Sequence, residues 1–419
     1  MQNKIKEAIE TPEILEKLYR SDKKAFEKAF YDVFPEISEQ KTAEIWKARL
    51  DFDLSKASET RFSPKDIILV VIASLITGFL IKIPQIFDIN VDEFYFYEKN
   101  TGMIILFGLS LYAFLTGGKT NMKQLLITLG IFIVSTFYIN FLPSTEDSHS
   151  IILAYMHLPI MLWTVYGLIF INFDLSSLPK RMDFIKYNGD LAIMGVLLLI
   201  AGGILSGITL GLFAAIDMEI EQFYFDYVGI WGLVAIPIVA TFVIKVYPFI
   251  ASKIAPVIAN IFSPLVLITL SIYLVSILVT GKDPYNDRDF LIVFNLMLLG
   301  VMAITVFSVI ETAVQNKQRF NLSVLLALSV ITLIVNAIAL SAILYRLNEY
   351  GFSPNRVAVL GSNVLIFMHL ILIMIDLFRV NFHKKPINRV ENTIARYLPV
   401  YAFWTAFVVF VLPWLFGLR

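Results

Sequence analysis

The chain has 419 residues, 34 Lys and Arg against 34 Asp and Glu, no cysteine, 58% apolar residues and 16% charged ones. Soluble domains average about 45–50% apolar and about 25% charged, so this composition excludes a soluble globular protein. The missing cysteines exclude disulfide scaffolds, zinc ribbons and thiol catalysis, and the zero net charge gives no reason to expect nucleic acid as a partner.

Residues 1–65 hold 26 of the 68 charged side chains. They read as a small N-terminal cytoplasmic helical unit of three helices. Thr11 and Pro12 open the first, Ser21 caps a second that buries Phe26, Phe30 and Phe34 and stops at Pro35, and Ser38 opens a third that buries Ile45, Trp46 and Leu50. Three short helices bury little surface, so this unit is expected to dock on the membrane domain or on a cytoplasmic protein partner. Its charged N-terminus lacks the apolar core of a signal peptide. Ser63 and Pro64 then start the first apolar run.

Residues 66–419 carry eleven apolar blocks, near 66–86, 102–118, 125–142, 151–172, 191–216, 229–248, 259–280, 290–312, 322–345, 356–378 and 399–417. Each can cross the roughly 30 Å hydrocarbon core of a lipid bilayer, and backbone groups in lipid are satisfied only in helices or closed barrels. The expected fold is therefore all-α, a polytopic helical membrane protein of about eleven transmembrane helices. Placing the N-terminus inside puts fourteen basic residues in inner loops, among them Lys119, Lys180, Arg181, Lys186, Lys245, Lys317, Arg379, Lys384 and Arg389. Only six fall outside: Lys99, Lys282, Arg288, Arg346, Arg356 and Arg419. The excess of basic residues selects N-terminus cytoplasmic and C-terminus outside. Acids such as Asp92, Asp226, Asp283 and Asp287 run the other way.

Within the spans, polar residues are costly and mark candidate sites. Span five carries Gly203, Gly207 and Gly211 at successive spacings of four, a helix-packing seam within one chain or between two, or a thin wall beside a substrate path. Glu311 ends span eight beside Thr305, Ser308 and Thr312. Asn336 shares a face of span nine with Ser329 and Thr332, and Ser362, His369 and Asp376 recur every seven residues on span ten. Together they outline a polar cavity in which Glu311, His369 and Asp376 exchange protons, or a set of interhelical hydrogen bonds. Glu146, Asp147 and His149 have ligand chemistry without metal spacing and read as a solvated loop. No nucleotide loop, zinc-protease His pair or G-x-S-x-G elbow is present, so neither cofactor nor catalytic residues are expected. Acid-plus-aromatic segments begin at Glu93, Glu221 and Glu349, at intervals of 128. They mark tandem four-helix units or simply the interfacial aromatic belt.

The stretch Tyr345-Arg346-Leu347-Asn348-Glu349-Tyr350-Gly351-Phe352-Ser353-Pro354-Asn355-Arg356 resembles a signature of a bacterial multi-pass membrane family catalogued as a domain of unknown function (number four thousand one hundred fifty-three). Leu15-Glu16-Lys17-Leu18-Tyr19-Arg20 and Trp46-Lys47-Ala48-Arg49-Leu50-Asp51 extend the resemblance to the N-terminal unit. The resemblance implies a bacterial inner-membrane location and no chemistry. Read physically, Gly351 permits a bend between spans nine and ten, and Arg356 pairs with Glu349 or captures an anion. Arg346, Tyr350 and Arg356 thus form either a binding motif at the outer mouth or a tight turn with interfacial anchors. Two functions follow as expectations: permease-like movement of a small polar solute or ion, or a non-transporting membrane scaffold or signalling component that recruits a partner through residues 1–65.

Overall fold

The computed structural model describes residues 1–419 except 60–63, 118–120, 145–146, 215, 281–284, 286–287 and 315–318. Ser63, Lys119, Glu146, Lys282, Asp283, Asp287 and Lys317 therefore lie outside the described residues. The chain forms two units, Met1–Pro64 and Lys65–Arg419, and no strand occurs among the described residues.

The first unit has four helices rather than three: α1 (Gln2–Ala8), α2 (Pro12–Ser21), α3 (Lys23–Ile37) and α4 (Lys41–Glu59). Ile5, Leu15, Phe26, Phe30 and Leu50 are fully buried and pack with Tyr19 and Trp46. Asp22, not Ser21, caps α3, its carboxylate accepting from the Ala25 N–H at 3.1 Å. Pro35 lies inside α3, which continues two residues further. Ile45 is 65% exposed, because the buried side of α4 runs through Ala43, Trp46 and Leu50 at helical spacing. Glu16 on α2 accepts from Arg49 of α4 at 2.6 Å and from Arg20 at 2.8 Å, and these two guanidinium groups hold its carboxyl below the usual range.

Among the described residues, eleven helices are long and apolar enough to cross a membrane. In order they are Pro64–Ile81, Phe96–Thr116, Met122–Phe141, His149–Phe170, Leu178–Ala214, Glu221–Val246, Ile254–Ile277, Phe294–Ala313, Arg319–Tyr350, Pro354–His383 and Asn388–Phe410. The chain is a polytopic helical membrane protein. Their alternating direction brings Lys180, Arg181, Lys245, Lys384 and Arg389 to one end of the bundle, the basic end. Several helices outrun their apolar blocks, since hydropathy marks only the part in hydrocarbon while helical hydrogen bonding continues through polar residues. Span five begins at Leu178, thirteen residues before its apolar block.

Two apolar cores organise the bundle. One joins spans one to six with the end of span eleven, around Tyr112, Leu158, Leu162, Tyr166, Tyr187, Ile238 and Val409. The other joins spans eight to eleven, around Val309, Leu325, Leu370, Ile373 and Ile394. Span four is central to the first, and its Pro159 packs so closely on span two that a Cβ at Gly102 would lie 2.4 Å from the ring. The glycine stripe of span five makes no such contact. A Cβ at Gly203, Gly207 or Gly211 would meet nothing within 4 Å, so among the described residues no helix of this chain packs on the stripe. The three segments spaced at 128 also differ locally: Tyr95 is left-handed, Tyr224–Gly229 is a π turn, and Gly351 is left-handed.

Candidate functional site

The polar residues of spans nine and ten face other helices. Ser362 accepts from the Trp404 indole N–H at 3.0 Å. His369, 1% exposed, stacks on Tyr397 at 4.2 Å and has Nδ1 3.0 Å from the Tyr401 hydroxyl, while its Nε2 has no partner. Asp376 accepts from Arg389 and Thr393 at 2.6 Å and from Arg379 at 3.3 Å. The seven-residue spacing thus places all three on one face, and that face meets span eleven. Asn336 donates to the Asn363 carbonyl at 3.3 Å, and Asn363 donates to Asn295 at 2.7 Å, which ties spans eight, nine and ten together.

At the opposite end, Gly351 has φ +73°, the left-handed conformation that ends span nine. Arg356 donates to the carbonyls of Tyr350 at 2.9 Å and Gly351 at 2.7 Å, and covers the Tyr350 ring at 5.5 Å. It bonds these carbonyls, left without acceptor duty by the helix end, rather than Glu349, which is exposed. The Arg346 guanidinium lies 6.0 Å from the same ring, and its Nη1 is buried without a partner.

A cavity lies elsewhere, among spans two to six at the basic end. It encloses about 500 Å³ and is lined by Tyr112 and Thr116, Gln124, Tyr166, Asp183, Lys186, Tyr187 and Asp190, and Thr241 and Lys245. Exposed Gly117, Asn121 and Asn172 form its rim. None of Glu311, Asn336, Ser362, His369 and Asp376 lines it. Span five supplies the charged wall because Asp183, Lys186, Tyr187 and Asp190 follow i, i+3, i+4, i+7 spacing on one helix face. Span five also approaches span eight closely: a Cβ at Gly189 would lie 2.3 Å from the Phe307 ring.

Three tyrosines line this cavity. Thr241 donates to the Pro237 carbonyl at 2.7 Å, so Tyr187 donates to Thr241 at 2.7 Å and Tyr166 donates to Tyr187 at 2.9 Å. This relay fixes two of the rings. The third, Tyr112, is 1% exposed and its hydroxyl has no partner among the described residues. Asp190 is 8% exposed, and its Oδ1 also has no partner among them. Lys245 faces Asp66 at 3.7 Å. Lys186 lies within electrostatic range of both Asp190 and Glu311, whose Oε1 is buried and unpartnered. Native proteins rarely leave buried polar atoms unpaired, so two such atoms lining one cavity make it a candidate site for polar groups from outside the chain, water included.

Hydropathy conceals this site, because Lys180, Arg181 and Lys186 read as an inner loop. The signal that could have revealed it is the helical spacing of Asp183, Lys186, Tyr187 and Asp190 just before the apolar block of span five. Among the described residues, no group of three His, Cys, Asp or Glu side chains is arranged to hold a metal ion. Comparisons with protein-family models, curated proteins and solved structures find no significant match.

Proposed function

We propose that the chain is a permease-like protein of the bacterial inner membrane, with its N-terminus cytoplasmic and its C-terminus outside, that admits a small polar solute at the basic end. The observation that carries this reading is the cavity of about 500 Å³ that reaches the unpartnered Tyr112 hydroxyl and Asp190 Oδ1. A volume of that size suits a small organic molecule. The Tyr166–Tyr187–Thr241 relay holds the wall in place, and the two unpartnered atoms supply the polar contacts that the solute completes. The inner-membrane location and the family assignment on residues 345–356 belong to the same proposal. The scaffold reading gains less support: in the N-terminal unit, the exposed Ile14 and Ile45 are ordinary surface apolar residues. Uptake of solutes from a mixture of small metabolites into proteoliposomes, with Ile244→Trp filling the cavity as the control, tests the proposal. Accumulation by wild type and not by the filled variant is expected, and its absence overturns the reading.

A further inference from the structure

We infer that the cavity of spans two to six takes an organic ammonium ion, its charge against Asp190 and its apolar body against the tyrosine rings. The inference rests on reading the cavity as a solute site and names the substrate class of that site.

Charge decides the class of ligand. The ammonium of Lys245 faces Asp66 at 3.7 Å, so its charge is already met. Lys186 is within electrostatic range of Asp190 on its own helix, yet Asp190 Oδ1 has no hydrogen-bond partner among the described residues. A carboxylate buried in the cavity wall with an oxygen left unpaired is costly in a low-dielectric interior, and a cation arriving in the cavity offsets that cost. Asp190 therefore favours a cationic solute over an anionic one. The remaining wall fits the same ligand. The Tyr112 hydroxyl can accept an N–H, and Tyr112, Tyr166 and Phe170 add aromatic rings to the lining, the residue type that attracts a cation. A hard metal ion is a poorer match. It needs six or more oxygens, whereas the Tyr187 and Thr241 hydroxyls are already engaged in their relay.

The test uses full-length protein in lipid nanodiscs and three probes with the same phenyl body: 2-phenylethylammonium, 2-phenylethanol and phenylacetate. Calorimetric titration, with protein-free nanodiscs as the blank for partitioning, reads each affinity. The amine is expected to bind at least about tenfold more tightly than the alcohol, with phenylacetate weakest. Asp190→Asn should abolish the preference of amine over alcohol. Tyr112→Phe keeps the ring and removes the hydroxyl, and should weaken the amine by about threefold to tenfold; it serves if Asp190→Asn does not fold. Equal or tighter binding of phenylacetate overturns the inference. So does amine binding that neither variant changes, and so does the absence of binding by all three probes up to about 10 mM. Proteoliposome uptake separates this failure from failure of the permease reading. If wild type accumulates a neutral or anionic solute that Ile244→Trp excludes, only the ammonium inference falls.

Discussion

Asp376 gives the most direct energetic prediction. Its side chain is 10% exposed and holds the turn between spans ten and eleven through three donors, the Arg389 Nε and Thr393 hydroxyl at 2.6 Å and Arg379 at 3.3 Å. A carboxylate lining a hydrated path could lose its charge at little cost in stability. This one cannot, because Asp376→Asn keeps one acceptor oxygen but removes the charge that the two guanidinium groups meet and replaces the oxygen that accepts from Thr393 with an NH2. A hydrogen bond to a charged group contributes about 1.5–3 kcal/mol. The two arginine side chains are 45% and 46% exposed, so solvent screens their share. The expected loss for Asp376→Asn is therefore about 1–3 kcal/mol, with Asp376→Ala at least as costly. Arg389→Gln should cost less, since Arg379 remains, and the double variant should cost less than the two singles combined. Reversible unfolding in mixed detergent micelles reads all four. Unchanged stability of Asp376→Asn would refute this assignment and return the residue to a solvated role.

Two further predictions are independent of function. Gly361→Ala would place a Cβ 2.0 Å from two carbons of the Trp404 ring, which must shift and break its bond to Ser362, at a cost of about 1–3 kcal/mol. Gly207→Ala meets nothing within 4 Å and should not destabilise, the helix gaining up to about 1 kcal/mol from the lost freedom of glycine; melting of both variants in detergent checks the pair. Orientation is tested in the cysteine-free background: Asn348→Cys should react with an impermeant thiol reagent added to intact cells, while Asn121→Cys should not. The reverse pattern would overturn the topology.

The number of spans was legible because each apolar block is long enough to cross lipid, and lipid admits few alternatives to a helix. The common face of Ser362, His369 and Asp376 was legible for the same geometric reason, a spacing of seven on a helix. What that face meets was not. Trp404, Tyr401 and Arg389 belong to a different helix, and one sequence carries no record of which helices touch. The glycines of span five show the same limit, since their spacing permits close packing without saying whether the neighbour belongs to this chain or to another. Asp183, Lys186 and Asp190 stayed hidden because a charged segment beside an apolar block reads as a loop, although its residues had the period of a helix.

Whether the cavity beneath Tyr112 and Asp190 admits a solute decides between the permease and a bundle that only packs. Uptake from a small-metabolite mixture into proteoliposomes, resolved by mass spectrometry, measures this directly, whatever the chemical identity of the solute. At least one solute should accumulate with wild-type protein and remain at the protein-free level with Ile244→Trp, a variant that fills the cavity wall and should melt within a few degrees of wild type. Equal accumulation in both, or none in either, would overturn the permease reading.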